Sequence, residues 1–280
     1  MTHSQKVRAL VFDIDGTLAM MDKETGTYTA LPGAIEALEE TRARDVPVVA
    51  YTNGTFFPPA HYYPRLAEAG LVIDPGHILT PAVVAAGVLR ARGHDRVMVL
   101  ADDGIRVPLA EAGIEMVEPI RDAGPVGAVM VGYTRALSSD ALEAIVSAVW
   151  AGAQPFTSSV APFVASSKGR IVGIPGAVSA AIEHCTGIKP EVMGKPSVAG
   201  MEIACTLTGA TAEETAVIGD DPKLEIAMGR AAGAFTLGLT TGAYDREAFD
   251  AAPAEARAHL VLDTLEGISA QSWFPAPRPT

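Results

Sequence analysis

The sequence predicts an α/β protein with a doubly wound parallel sheet and a second α/β domain inserted into the first. One observation is that short apolar runs alternate with segments of helical periodicity. Another is that these runs are rich in Val, Ile and Ala and carry few charges, as do parallel strands covered on both faces. The predicted strands span residues 7–12, 46–51, 96–100, 127–131, 215–218 and 234–239, and the predicted helices 32–43, 81–91, 138–151, 176–185 and 222–232.

The chain is long enough for two domains, since 280 residues exceed what one core usually holds. Gly and Pro interrupt the pattern at Thr80-Pro81 and again at residues 173–176. The segment between these points has its own alternation of strands and helices. We therefore predict a core domain formed by residues 1–79 and 178–280, and an inserted domain formed by residues 80–177.

Composition restricts the class of function. Hydrophobic residues make up 49% of the chain and charged residues 19%, which favours a folded protein over a disordered one. The formal net charge of −12 argues against binding to nucleic acids or anionic membranes. No apolar run approaches the length of about 18 residues that a membrane span needs. Two cysteines, Cys185 and Cys205, provide no disulfide framework, so we expect a cytoplasmic protein.

Polar side chains follow three of the predicted strands directly. Asp13 follows the first strand, Thr52 the second and Asp220 the strand that ends at residue 218 or 219. Because ligands bind outside the carboxyl ends of parallel strands, we expect these three residues to meet at one edge of the sheet.

The motif Asp13-Ile14-Asp15-Gly16-Thr17 supplies two carboxylates with different candidate roles. A carboxylate at a strand end, such as Asp13, can attack phosphorus and form an aspartyl-phosphate. Asp15 can protonate the leaving oxygen and then deprotonate a water molecule. The alternative for both residues is structural, since Asp also caps strands and forms turns before Gly. The combination with the motifs described next favours the catalytic interpretation.

Two further motifs provide groups that suit a phosphate. In Thr52-Asn53-Gly54, a hydroxyl and backbone N–H groups lie at a turn after a strand. In Met193-Gly194-Lys195-Pro196, the ammonium of Lys195 can neutralise both Asp13 and a phosphoryl group. By themselves these residues could form a polar turn and a surface lysine.

Together, the four motifs around Asp13, Thr52, Lys195 and Asp220 resemble those of the haloacid dehalogenase superfamily of phosphohydrolases. The long insertion between the second and third motifs resembles the NagD-like, p-nitrophenylphosphatase-like branch, in which it forms a C2-type cap. The resemblance extends from about residue 7 to about residue 265. It implies a phosphatase of small phosphorylated metabolites. It also implies one Mg²⁺ held by the carboxylates of Asp13 and Asp220 and by the main-chain carbonyl of Asp15.

The sequence departs from these relatives at two places. They often carry an Asp five residues after the position of Asp220, where this chain has Glu225, and Asp221 is an alternative second acid. They also often carry Asn-Pro-Asp in the cap, and the matching region of this chain, residues 154–163, lacks that triplet. Its Thr157-Ser158-Ser159 stretch offers polar groups for a substrate, but we expect it to be a polar surface loop. The substrate and the oligomeric state therefore stay open, and a homodimer through the cap is compatible with the sequence.

Other functions are compatible with parts of the pattern. A phosphotransferase or mutase would share the aspartyl-phosphate, and would differ by excluding water. A metal-dependent glycosyltransferase could use the two aspartates to hold a nucleotide-sugar, but that would leave Lys195 and Asp220 without a role. A non-catalytic relative that binds metabolites would keep the fold alone.

Overall fold

The structure is a computed structural model that describes residues 7–22, 24–166 and 169–275. The chain forms two compact units. The core unit contains the described residues up to Thr52, His61–Leu79 and those from Lys195 onward. The inserted unit contains Asn53–Ala60 and Thr80–Gly194.

The core unit is built on a six-stranded parallel sheet. Its strands are β1 (Ala9–Phe12), β4 (Val48–Tyr51), β5 (Ile78–Leu79), β13 (Thr215–Gly219), β14 (Phe235–Leu239) and β15 (Leu260–Leu262), in the order β15-β14-β13-β1-β4-β5. Its helices are α1 (Ala34–Ala43), α2 (Tyr62–Glu68), α7 (Ala199–Thr208), α8 (Ala227–Ala232) and α9 (Arg246–Asp250). A hairpin of β2 (Ala19–Met21) and β3 (Tyr28–Ala30) follows β1.

The inserted unit has a five-stranded parallel sheet of its own. Its strands are β6 (Arg96–Leu100), β7 (Glu115–Val117), β8 (Ala128–Val131), β9 (Gln154–Thr157) and β12 (Glu191–Val192), in the order β12-β9-β8-β6-β7. Its helices are α3 (Pro81–Ala91), α4 (Asp103–Glu111), α5 (Ser139–Trp150) and α6 (Ile174–Thr186). A hairpin of β10 (Phe163–Ser166) and β11 (Gly169–Val172) lies between β9 and α6.

Strand β1 is central in the core sheet, and this explains its sequence. It pairs in parallel with β13 on one side and with β4 on the other, so that Val11 lies beside both Val217 and Val49. All four residues of β1 are buried, as their apolar run predicts. The predicted doubly wound α/β class is confirmed, and the residues that follow β1, β4 and β13 come to the same edge of the sheet.

The predicted division into domains is wrong at two places. Residues 53–60 were expected in the core domain, but Asn53–Ala60 lies in the inserted unit. The insertion was expected to end at residue 177, but the inserted unit continues to Gly194. The reason is long-range pairing, because β12 adds to the sheet beside β9 and α6 packs against β8 and β9. The Gly and Pro residues at 173–176 begin α6 instead of separating the two units.

The helix predicted over residues 222–232 consists of two parts. A π turn spans Pro222–Ile226, and α8 continues from Ala227 to Ala232. Glu225 lies within this π turn. Among the helices that the structure describes, none is both long and apolar enough to cross a membrane.

Candidate active site

Asp13 occupies the end of the central strand. Its N–H donates to the carbonyl of Ile218 on β13 at 2.9 Å, so that its backbone continues the sheet. Its side chain is only 8% exposed, and burial raises its pKa. Glu225 and Asp220 add to this rise, and Lys195 opposes it. The fixed backbone gives this carboxylate a defined direction, as a nucleophile requires.

Lys195 is buried with only 2% of its side chain exposed, so it is not a surface lysine. Its ammonium donates to Asp13 Oδ1, to the carbonyl of Tyr51 at 2.8 Å and to Glu225 Oε1 at 2.6 Å. Burial lowers the pKa of Lys195, but the carboxylates of Asp13 and Glu225 outweigh it and raise the pKa above its usual value. The group therefore keeps its positive charge next to Asp13.

Glu225 is the acid that pairs with Lys195. Its side chain is 3% exposed, and its Oε2 accepts a hydrogen bond from the N–H of Asp221 at 3.1 Å. A Cβ on Gly219 would overlap the Glu225 side chain, so glycine at that position makes room for it. Asp221 instead accepts from the N–H of Lys223 at 2.7 Å and caps the π turn.

Asp220 follows β13 and lies directly against the turn after Asp15. A Cβ on Gly16 would approach Asp220 Oδ2 to 2.5 Å, and Gly16 also has a φ of +94°, so both space and conformation require glycine. Burial raises the pKa of Asp220 to about 6, although a hydrogen bond of 2.7 Å from the N–H of Ala243 opposes it. The motifs around Asp13 and Asp220 are therefore in contact.

Asp15 differs from Asp13 because its side chain is exposed. The N–H of Gly16 donates to the carbonyl of Ala19 at 2.8 Å, which closes the turn that carries Asp15. Burial raises the pKa of both Tyr28 and Tyr62, and the negative charge of nearby Asp15 raises them further. An accessible carboxylate beside a fixed one is the arrangement that proton transfer at a leaving group needs.

The motif Thr52-Asn53-Gly54 is divided between the two units. Thr52 is buried in the core unit, where its N–H donates to the carbonyl of Leu79 at 3.1 Å. Asn53 and Gly54 belong to the inserted unit. There a Cβ on Gly194 would approach Asn53 Oδ1 to 2.8 Å, so the Asn53 side chain packs against that glycine.

The charges of the core unit fit the divalent cation that the resemblance implies. Asp13, Asp220 and Glu225 are buried carboxylates, and Lys195 is the buried ammonium that faces them within the described residues. A surplus of negative charge in a buried site favours a cation. Among the described residues no set of three His, Cys, Asp or Glu side chains could bind a metal alone. Mg²⁺ does not need one, since it accepts carboxylates, carbonyls and waters.

Sequence reasoning missed the backbone partners of these charges. The carbonyl of Tyr51 accepts from Lys195, and the segment after β14 contributes the N–H of Ala243 to Asp220. The hydroxyl of Thr241 in that segment donates to the carbonyl of Gly16 at 2.6 Å. One feature of the sequence did indicate the segment after β14. Thr240-Thr241-Gly242 follows a predicted strand, and segments that follow parallel strands lie at the same edge of the sheet.

The expected surface loop at residues 157–159 is wrong for its first two members. Thr157 is the last residue of β9, and both Thr157 and Ser158 are fully buried. Thr157 Oγ1 donates to the carbonyl of Ser159 at 3.1 Å. The hydroxyl of Ser158 has no hydrogen-bond partner in the part of the chain that the structure describes. A buried hydroxyl without a partner is unusual and marks Ser158 for a functional test.

Two family models match the chain. Haloacid dehalogenase-like hydrolase matches residues 10–115, and HAD-hydrolase-like matches residues 192–268. These ranges contain Asp13, Asp15, Thr52, Lys195 and Asp220.

Comparison with individual proteins supports the same family. Over 234 residues the chain is 29% identical to dihydroxyacetone phosphatase of Corynebacterium glutamicum, covering 83% of this chain and 81% of the relative. It is 29% identical to ribonucleotide monophosphatase NagD of Escherichia coli K12 over 251 residues, covering 88% and 93%. The solved NagD structure superimposes with a TM-score of 0.81 at 26% identity, covering 94% of this chain and 98% of that one.

A glycerol phosphate phosphatase of Mycobacterium tuberculosis, solved in complex with magnesium, has a TM-score of 0.82 at 24% identity. That alignment covers 100% of this chain and 82% of the other, and it shows a shared fold. The chain therefore belongs to the haloacid dehalogenase-like hydrolases, and it is similar to NagD over most of its length.

Proposed function

We propose that the protein is a Mg²⁺-dependent phosphatase that hydrolyses phosphate monoesters of small metabolites through an aspartyl-phosphate. The observation that carries this proposal is the buried contact of Asp13 with Lys195, which is itself held by Glu225. This contact places a carboxylate of defined direction next to a fixed positive charge, at the edge of the sheet formed by the carboxyl ends of the strands. The names of the relatives, which are phosphatases of small esters, support the same class of substrate.

In the first step a carboxylate oxygen of Asp13 forms a bond to phosphorus, and the bond from phosphorus to the ester oxygen breaks. Asp15 donates its proton to that leaving oxygen, so that the product leaves as an alcohol. Lys195 stabilises the negative charge of the phosphoryl group during transfer. Thr52, Asn53 and Gly54 are the groups that we assign to phosphate and substrate binding.

In the second step Asp15, now a carboxylate, accepts a proton from water. The water oxygen bonds to phosphorus, and the bond from phosphorus to the Asp13 oxygen breaks. Inorganic phosphate leaves, Asp13 is again a carboxylate and Asp15 is again protonated. Two displacements replace a single attack of water on the ester.

The carboxylates of Asp13 and Asp220 and the main-chain carbonyl of Asp15 are the groups that would hold Mg²⁺. When bound, such an ion neutralises charge on the phosphoryl oxygens and orients the phosphate. The protein itself fixes both carboxylates. The N–H of Ala243 donates to Asp220, and the N–H of Asp13 donates to a carbonyl of the neighbouring strand.

We further propose that the inserted unit acts as a cap that selects the substrate, as the resemblance implies. A homodimer through this unit and a cytoplasmic location are also predictions. Sedimentation of the purified protein at several concentrations would test the first, and a fluorescent fusion would test the second.

The function is tested by incubating the protein with a panel of phosphorylated metabolites and Mg²⁺, and measuring release of inorganic phosphate. We expect release from small esters, loss after treatment with EDTA and recovery with Mg²⁺, while Ca²⁺ substitutes poorly because it prefers more ligands. Full activity after exhaustive chelation would contradict the metal assignment. Transfer of phosphate to an added alcohol in place of water would indicate a phosphotransferase, and binding without turnover a non-catalytic relative.

A further inference from the structure

The topology of the inserted sheet creates a crevice at the carboxyl ends of β6 and β8. Strand β6 lies between β7 and β8, so the chain first continues to one side of β6 and later to the other. The helices that follow the two strands pack separately, with α4 beside α3 and α5 beside α6. In open α/β sheets such a point, where adjacent connections diverge, is where ligands bind.

A cavity of about 740 Å³ lies at this edge of the inserted unit. Its walls come from the end of β6, the first turn of α4, the segment after β7, the segment after β8 and residues 56–58. The volume is in the range of about 300–1,000 Å³ that small-molecule sites have. The cavity is therefore large enough for one ring system.

Two aromatic rings form the apolar wall of the cavity. Phe56 is 39% exposed and Phe57 is 49% exposed, which is unusual for adjacent phenylalanines in a protein of this composition. The backbone before them packs closely against the start of α4, since a Cβ on Gly104 would overlap the carbonyl of Thr55. The ring of Phe56 also contacts that of Tyr133, with centroids 4.3 Å apart. Exposed aromatic rings are suited to stacking against a planar ligand.

The charged groups that line the cavity restrict the kind of ligand that it can bind. Among the described residues that line it, the one cation is Arg106, which is already paired. Its guanidinium donates to both oxygens of Glu118 at 2.7 and 2.9 Å, and to the carbonyls of Ala101 and Val99 at 2.7 and 3.1 Å.

The remaining charged groups of the cavity are the carboxylates of Asp102 and Asp103. Asp102 Oδ1 accepts a hydrogen bond from Thr134 at 2.8 Å. These acids disfavour a phosphate or a carboxylate, and favour a ligand with N–H donors.

From these observations we infer that the cavity binds a planar heteroaromatic ring with amino groups, which stacks on Phe56 and Phe57 and donates hydrogen bonds to Asp102 and Asp103. The ring is the organic part of a substrate or a separate effector. The inference concerns binding within the inserted unit, and it holds whether or not the core unit hydrolyses phosphate esters.

The test is calorimetric titration of the full chain with four nucleosides, without metal or phosphate ester. Cytidine and adenosine carry an exocyclic amino group, whereas uridine and inosine carry an oxygen at that position. We expect the amino compounds to bind at least about fivefold more tightly, since one hydrogen bond contributes about 1 kcal/mol. The double variant Phe56→Ala/Phe57→Ala should weaken binding at least about tenfold. Asp102→Asn should reduce the preference for cytidine over uridine.

Phe163→Ala is the matched control, because Phe163 is an exposed ring of the same unit outside the cavity. It should change binding less than twofold, and the thermal midpoints of all variants should show that they are folded. Absence of binding for all four nucleosides up to about 10 mM would overturn the inference. So would binding that survives in the double variant, or equal binding of amino and oxo compounds.

Turnover assays distinguish a ring that belongs to the substrate from a ring that belongs to a separate effector. For a substrate, cytidine competes with p-nitrophenyl phosphate, and the double variant raises KM for cytidine monophosphate but not for glycerol phosphate. For an effector, cytidine changes kcat without competition. Either result supports the site. If the protein hydrolyses none of these esters, the titrations still decide the binding site separately from the proposed function.

Discussion

The two units of this protein use their ion pairs differently. In the core unit, Lys195 and its partners Asp13 and Glu225 have side chains that are 2%, 8% and 3% exposed. In the inserted unit, the pair of Arg121 with Glu143 is 73% and 54% exposed. Burying charges costs free energy that only close pairing offsets, whereas exposed pairs contribute little. The core unit therefore contains a buried cluster of charges in addition to exposed pairs such as Arg246 with Asp263, whereas the ion pairs described in the inserted unit all reach solvent.

From this comparison we expect that substitution of Lys195 lowers the turnover of every substrate. Substitutions in the inserted unit should change the turnover of only some substrates. Removing a buried charge should have a large effect on both activity and stability. Removing an exposed charge should have almost none. Substitutions in the inserted unit that touch a ligand should reorder substrates without slowing the reaction in general.

The largest effect is expected for Lys195→Met. We expect kcat to fall at least about 10³-fold for all phosphate esters alike, because each one meets this charge. We also expect the free energy of unfolding to fall by about 3–5 kcal/mol, since Asp13 and Glu225 lose their cation. Steady-state kinetics and urea unfolding measure both. Lys189→Met is the control, since Lys189 is exposed. If Lys195→Met changed the ranking of substrates by kcat/KM, the proposed difference between the core unit and the inserted unit would be contradicted.

A smaller effect is expected for Glu225→Gln, which keeps the size of the side chain and removes its charge. Lys195 would then be held by Asp13 and the carbonyl of Tyr51 alone. We expect a loss of about 10- to 100-fold in kcat, as for groups that orient catalytic ligands. Asp221→Asn should change kcat by less than about threefold, because Asp221 caps the π turn. Equal losses in the two variants would contradict the assignment of Glu225.

In the inserted unit, Ser158→Ala removes a buried hydroxyl that has no partner within the described residues. The thermal midpoint should stay constant or rise, since an unsatisfied polar group is lost. The ranking of esters by kcat/KM should change about three- to tenfold if Ser158 contacts substrates. Ser147→Ala, on the exposed face of α5, is the control. A uniform decrease for all esters would show that Ser158 does not select substrates.

The smallest effect is expected for Arg121→Ala in the exposed pair with Glu143. The free energy of unfolding should stay unchanged within the precision of chemical unfolding, and kcat/KM should stay the same. Chemical unfolding of this variant beside Lys195→Met compares the two kinds of ion pair directly. A loss as large as that of Lys195→Met would refute the comparison.

The sequence predicted the parts of this protein that depend on local patterns. Apolar runs followed by Asp13, Thr52 and Asp220 were enough to predict a parallel sheet with these residues at one edge. The motifs were also enough to predict the family. These inferences succeed because a buried strand and the residue after it are adjacent in the chain.

The sequence could not predict features that depend on distant pairing. The end of the inserted unit at Gly194 results from β12 joining β9, and two residues of β12 carry too weak a pattern to show it. The contact of Glu225 with Lys195 joins two residues that are distant in the chain, and Glu225 lies in a π turn that has no sequence signal to distinguish it from an α-helix. Thr157 and Ser158 looked like a surface loop because burial of hydroxyls is uncommon.

The central claim is that Asp13 in the core unit forms the covalent intermediate. The direct test mixes the enzyme and Mg²⁺ with an ester carrying radioactive phosphate, and stops the reaction with acid within milliseconds. We expect label on the peptide that contains Asp13, stable in acid and released by hydroxylamine, as for an acyl-phosphate. We also expect that Asp13→Asn, which keeps the shape of the side chain, carries no label and loses at least about 10⁴-fold in kcat. Rapid release of phosphate without labelled protein, or turnover near the wild-type rate in a folded Asp13→Asn variant, would contradict it.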